Sequence, residues 1–320
     1  MNKNFIVDEE TRLDKFLSNK LNETRNQIEQ LIKKEYVQVD GKIKSKTGYK
    51  LKLDQTVEVT LPSIEKKEIQ KVDFDVEIIY EDDYILVLNK PSNLIVHDAP
   101  SVNEPTLVDW LKQKEISLST ISGEERHGIV HRLDKGTSGV MVVAKTNEAH
   151  VGLSRQLEDK SMGRIYLAIT DLPLKDNQII DAPIARNPNN RLKNSVLPHG
   201  KNAKSAFLKL ELSKNEKQEL ISAKLFTGRT HQIRVHLASI NRHILGDNLY
   251  GFKGELNKIN RVYLHAYNLY LNHPITNEKM DFTANIPCDM TDYLEKHFNK
   301  ENINEKINKD YIVNSFSSFC

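Results

Sequence analysis

One stretch constrains this chain more than any other: His127-Gly-Ile-Val-His-Arg-Leu-Asp-Lys-Gly-Thr-Ser-Gly139, followed at once by the apolar run Val140 to Ala144. An apolar segment, a turn of Asp, Lys and Gly, and a second apolar segment read as two strands joined by a loop. The loop carries one carboxylate, Asp134, between Arg132 and Lys135. Neighbouring cations favour its ionised form. On residue type alone Asp134 could be no more than a turn former, because Asp-Lys-Gly is ordinary turn chemistry. A carboxylate on a loop braced by strands is also where chemistry tends to sit.

Periodicity divides the rest. A module over residues 1–62 begins with two helices: Leu13, Phe16 and Leu17, then Ile28, Leu31 and Ile32, recur at helical spacing. Thr11 with Asp14 and Thr24 with Gln27 read as helix-start capping boxes. Val37 and Val39 alternate up to the hairpin signal Asp40-Gly41, and Val57 and Val59 alternate again. Seven lysines against two acids between Lys33 and Lys52 leave a net +5 there, a surface suited to phosphates or simply to water. Residues 63–72 are charged, without alternation, and read as a linker.

A larger domain follows over residues 73–298. Strand signals recur near Val76–Tyr80, Ile85–Leu88, Val140–Lys145, Arg164–Thr170, Ala206–Leu212, Leu220–Phe226, Arg261–Leu271 and Met280–Thr283. Helices are few, near Glu148–Leu157 and from Thr230. Many strands with few helices between them imply an α+β fold with a mixed, largely antiparallel sheet. The stretch from Ala182 to Leu210 has no acids and six basic side chains, among them Arg186, Arg191 and Lys193; it reads as a basic or merely flexible loop. The tail, residues 299–320, is rich in Asn, Lys and Glu and reads as a marginal helix or disordered.

The string around Asp134 resembles the signature of the RluA/RluD family, pseudouridine synthases of the large-ribosomal-RNA and tRNA-uracil type. The resemblance implies that Asp134 is the catalytic residue and that Arg132 fills the space left by an extruded base. It extends to Gly228-Arg-Thr-His-Gln-Ile-Arg-Val-His236, where Arg234 is expected to pair with the carboxylate and Arg229 to touch RNA. In Gly163-Arg-Ile-Tyr-Leu-Ala168 it implies an active-site role for Tyr166, and in Leu264-His-Ala266 an apolar wall at Leu264. Without the resemblance, Tyr166 would read as core. The first module resembles the S4-like RNA-binding fold shared with ribosomal protein S-four, with Glu35-Tyr36 where a Gly is usual. Arg25, Lys42 and Lys44 are its candidate RNA contacts. The implied fold is the pseudouridine synthase α+β fold with a small S4-like domain. The implied activity is isomerisation of uridine in structured RNA, with the bacterial D-type large-subunit enzymes and their 23S ribosomal RNA the nearest pattern. A tRNA-directed enzyme and a non-catalytic ribosome-assembly factor with the same fold are the alternatives.

Composition excludes other classes. Forty-six basic against forty-four acidic residues give a formal +2, so only local clustering can attract RNA. Cys288 and Cys320 form neither a disulfide framework nor a metal spacing, and a reducing, cytoplasmic setting is expected. No apolar run approaches the roughly 20 residues of a membrane span. None of the eleven histidines lies in a zinc-binding motif, and no phosphate-binding or dinucleotide loop is present. No metal, no cofactor and a monomer are expected.

Overall fold

The computed structural model describes residues 2–21, 25–60, 72–97, 104–121, 127–252 and 259–319, without the side chains of 2, 25–27 and 30. The expected linker lies outside the described residues except for Val72. The chain forms two compact units, Met1–Glu68 and Ile69–Cys320.

In the first unit, helices α1 (Leu13–Leu21) and α2 (Arg25–Lys33) accompany a sheet of β1 (Asn2–Ile6), β2 (Val37–Val39), β3 (Lys42–Ile43) and β4 (Thr56–Thr60). The strand order is β1-β4-β2-β3, with antiparallel neighbours. The helical-period residues Leu13, Phe16, Leu17, Ile28 and Ile32 meet the alternating Val37, Val39, Val57 and Val59 in one buried cluster. Asp40 and Gly41 both take positive φ, the tight hairpin turn their sequence calls for. Glu35, standing where the module usually has a glycine, holds a left-handed φ of 63°. The Thr11 capping box gives way to another start: Leu13 and Asp14 donate their N–H groups to Tyr49 O and Thr47 O, while the Asp14 carboxylate takes Arg12. Thr24 lies outside the described residues.

The second unit is built on a nine-stranded sheet. Its strands are β5 (Glu77–Glu81), β6 (Ile85–Lys90), β7 (Ser138–Ala144), β8 (Gly163–Thr170), β9 (Gln178–Asp181), β12 (Lys204–Leu212), β13 (Glu219–Leu225), β14 (Leu264–Asn272) and β15 (Lys279–Thr283). The order is β5-β6-β7-β14-β8-β13-β12-β9, with β15 paired to β14. Only β7 and β14 run parallel, so the sheet is mixed and largely antiparallel, as its pattern implied. Helices α3 (Leu107–Gln113), α4 (Asn147–Asp159), α5 (Gln232–Ser239) and α6 (Cys288–His297) complete the unit, with the hairpin β10 (Ile184–Arg186) and β11 (Asn194–Val196). No described helix is long and apolar enough to cross a membrane.

Two expectations are corrected, and of the two readings of the tail the helical one holds. Residues 127–137 are not a strand and loop but a run of turns touching the sheet at one bridge, Ile129 to Val143. The acid-free stretch from Ala182 to Leu210 is no flexible loop, because it holds the β10–β11 hairpin and most of β12. The tail is ordered as α7 (Lys300–Lys306) and α8 (Lys309–Ser317). Asn299 and Asn308 cap the two helices, and that break brings Ile303, Ile312 and Phe316 onto faces buried in the main core.

Candidate active site

The Asp134 loop is fixed by the junction of β7 and β14. Gly139 pairs with Ala266 across the parallel strands, and a Cβ on Gly139 would stand 2.2 Å from the Ala266 carbonyl oxygen. Its φ of 119° also suits glycine. The close approach sets Leu264, at the start of β14, beside the loop. The loop closes on itself through Thr137 N–H donating to Asp134 O at 3.0 Å, and Ser92 Oγ holds the Gly136 carbonyl at 3.0 Å. Behind it, His131 Nε2 accepts the Val142 N–H at 3.2 Å. That acceptor role requires a neutral ring, and burial lowers the His131 pKa to about 3. Lys90, the last residue of β6, is fully buried and donates to the carbonyls of Pro91 and Leu94, both at 2.8 Å. Burial lowers its pKa to about 7, against the pull of the Asp134 charge. In sequence, Lys90-Pro91 looks like no more than the end of a strand.

Arg234 reaches the carboxylate from the first turn of α5, its Nη1 donating to Asp134 Oδ2 at 3.0 Å. The fork is spent on Asp247, with Nε to Oδ2 at 2.7 Å and Nη2 to Oδ1 at 2.8 Å, and Asp134 receives one N–H of Nη1. Burial opposes the Arg234 charge, but the hydrogen bonds and charge of Asp247, then Asp134, outweigh it and raise its pKa. The guanidinium also lies 4.9 Å from the Tyr250 ring centroid. Asp247, itself almost fully buried, is therefore the residue that aims Arg234. A buried Asp in Gly-Asp-Asn looks like a turn former in sequence, so only the fold exposes it.

His231 precedes α5 in a left-handed conformation, φ 60°. Its Nε2 lies 3.8 Å from Asp134 Oδ2, while its Nδ1 meets the Tyr250 hydroxyl at 2.8 Å. That hydroxyl accepts the Asn194 N–H at 2.8 Å, tying the β10–β11 hairpin to the site. Burial lowers the His231 pKa, offset in part by Asp134. The other histidine of this stretch, His236, is held between Ser205 Oγ and Ala182 O, both at 3.0 Å.

Tyr166 points from the middle of β8 into the same space, 4% exposed, with its pKa raised by burial. Together these groups border a cavity of about 500 Å³. Asp134, Tyr166, Arg234, Leu264, Arg132 and Arg229, six positions named from the sequence, all line it. Arg229 is exposed, its Nε donating to Asn202 O at 2.9 Å, and Arg132 is exposed at the rim. The other three lie in the first unit. Lys42 is exposed on β3, and Lys44 Nζ sits 4.6 Å from the Tyr49 ring centroid. Arg25 opens α2, and its side chain lies outside the described residues.

A carboxylate held by a guanidinium in a pocket with an aromatic and an aliphatic wall can act at a glycosidic carbon. Comparison with known proteins decides the family. Residues 84–239 match the RNA pseudouridylate synthase family and residues 11–57 the S4 domain. An uncharacterized RNA pseudouridine synthase of Helicobacter pylori strain J99 is 47% identical over 312 residues, 95% of each chain. The chain belongs to the RNA pseudouridine synthase family. The family also includes the ribosomal large subunit pseudouridine synthase D of Escherichia coli O6:H1, 34% identical over 89% of this chain and 90% of that one. The enzyme of the same name from Zymomonas mobilis is 40% identical over 73% of this chain and 76% of its own. Among solved structures, human RNA pseudouridylate synthase domain containing 1 superposes with a TM-score of 0.55 at 23% identity, covering 67% of this chain and 84% of its own. That likeness is one of fold.

Proposed function

We propose that this protein converts specific uridines of 23S ribosomal RNA to pseudouridine, with Asp134 as the catalytic carboxylate. The observation that carries the reading is the convergence of Asp134, Arg234 and Tyr166 on one cavity, with the carboxylate 3.0 Å from the guanidinium. The reaction breaks the bond from the sugar to N1 of uracil, turns the base and joins C5 to the same carbon. The C5 proton leaves and N1 gains one, so the change is an isomerisation that requires no redox partner. An anionic Asp134 acts where positive charge develops on the sugar or where a proton must move. Arg234 holds it in place through the 3.0 Å hydrogen bond from Nη1. Tyr166 offers the base a flat face and a phenol that burial keeps protonated. Leu264 closes the wall against water, which would divert a cleaved intermediate to free uracil.

A base within folded RNA must be extruded to reach this cavity, and Arg132 at its rim is placed to occupy the gap. The S4 domain supplies affinity through Arg25, Lys42 and Lys44. The enzyme is read as a cytoplasmic monomer without metal or cofactor. The 23S substrate is supported by the names of the large-subunit relatives from Escherichia coli and Zymomonas mobilis. Mapping pseudouridines in ribosomal and transfer RNA from cells lacking this gene tests it. Loss of defined 23S positions is expected. Loss confined to tRNA overturns the substrate, and no loss anywhere overturns the activity.

A further inference from the structure

We propose that Arg164 is the anchor for a backbone phosphate of the extruded nucleotide. The inference rests on the pseudouridine synthase reading and adds how the pocket holds its substrate. Arg164 lies on β8 two residues before Tyr166, so both side chains leave the same face of the strand. At about 3.3 Å per residue their backbones are roughly 6.6 Å apart, the reach from a base to its own backbone. Both line the cavity that holds Asp134.

The Arg164 guanidinium packs against Gly228. A Cβ there would stand 3.0 and 3.1 Å from Nη1 and Nη2, so the glycine clears the seat for the cation. Its Nε is buried with no hydrogen-bond partner, and among the described residues Arg164 pairs with no carboxylate. Arg234, by contrast, is matched by two carboxylates. Arg164 is half-buried, and an Nε shut from water without a partner is costly in the free protein. Its partner must then arrive with the substrate.

The partner is an anion. Arg132, Lys160, Arg164, Arg229 and Arg234 line the cavity against Asp134 and Glu158, five cations to two carboxylates. Uracil is neutral and its carbonyls would repay such a charge poorly, whereas a phosphodiester meets a planar guanidinium with two oxygens. The base then lies toward Tyr166 and the phosphate toward Arg164, which leaves the sugar between them at Asp134.

The test replaces, one at a time, the phosphates flanking the target uridine of a 23S stem-loop with neutral methylphosphonates. Affinity and single-turnover rate are measured for wild type, Arg164→Gln, Arg164→Lys and Gly228→Ala. One replacement should weaken wild-type binding about tenfold. The same replacement should cost Arg164→Gln less than about twofold, since the contact is already gone. Gly228→Ala keeps the charge but displaces it, and should behave as Arg164→Gln; Arg164→Lys should recover part of the loss. The salt dependence of binding should flatten by about 0.7 in log–log slope, one phosphate's share. Losses that multiply at every phosphate, with an unchanged slope, overturn the anchor. Wild-type release of label from C5 on the unmodified RNA is the separate control: without it the activity itself is wrong, and with it only the anchor is at stake.

Discussion

Asp247 offers the sharpest perturbation of the site, because its carboxylate reaches Asp134 through Arg234, its other contact here being the Tyr250 N–H. Its side chain is 1% exposed and Arg234 is 9% exposed, so the two hydrogen bonds of 2.7 and 2.8 Å join charges largely removed from water. Removing one partner of such a pair leaves a buried, half-satisfied cation, which costs about 3–5 kcal/mol of stability. Asp247→Ala should fall in that range, with the lost Tyr250 N–H contact to Asp247 Oδ1 included. The freed fork can then turn toward Asp134 and drag the carboxylate off its setting. A displacement of about 1 Å in a reacting group is worth on the order of 100-fold in rate. Urea denaturation and single-turnover release of tritium from C5 of uridine measure the two effects, while RNA affinity should hold because no rim cation is removed. The double variant Arg234→Met with Asp247→Leu should regain much of the stability, since removing a buried pair together is often neutral, yet stay inactive. Asp247→Ala within about 1 kcal/mol and threefold of wild type would refute the reasoning.

His265 is buried with Nδ1 at 2.9 Å from Ser138 Oγ, and burial lowers its pKa from 6.5 to about 4. Between those values the unfolded chain binds the extra proton, so the stability present above pH 6.5 is lost as pH falls toward 4. The slope should be about 1.4 kcal/mol per pH unit for this group. Unfolding curves of His265→Asn should lack that component, and an identical pH dependence would remove His265 from the account. Phe316, fully buried in α8, should cost about 3–5 kcal/mol when cut to alanine; a thermal melt that does not shift would mean the tail is not part of the core. Replacing Lys42, Lys44 and Lys46 together by alanine should flatten the salt dependence of RNA binding by up to about 0.7–0.9 per lysine in contact, and an unchanged slope excludes all three.

The parts of the site carried by short contiguous strings were legible. Asp134, Arg234, Tyr166 and Leu264 each sit in a run that resembles the family's, and the resemblance, not spacing, named the residue; the sheet brings the four to one cavity. Asp247 was hidden because its meaning lies in a contact made after α5 turns back, and in sequence a Gly-Asp-Asn run only announces a turn. Lys90 was hidden for a related reason: one cation closing an apolar strand before Pro91 looks like an edge, and only the fold buries it. Local strength decided the elements. Long strands such as β8 and β13 have apolar runs that announce them. The strand β1, with Asn-Lys-Asn, and the three-residue strands of the β10–β11 hairpin are held by their partners rather than by their own pattern. The tail reads as helix or disorder alike in sequence, because Ile303, Ile312 and Phe316 align only after the cap at Asn308 divides them between two helices.

Release of tritium from C5-labelled uridine in 23S ribosomal RNA by wild type and by Asp134→Asn, with RNA binding followed in parallel, tests the central claim most directly. The amide keeps the shape of the acid and removes its charge and nucleophilicity. Turnover by wild type, none by the variant and near-equal RNA affinity are predicted. Equal release by both proteins would contradict the assignment of Asp134.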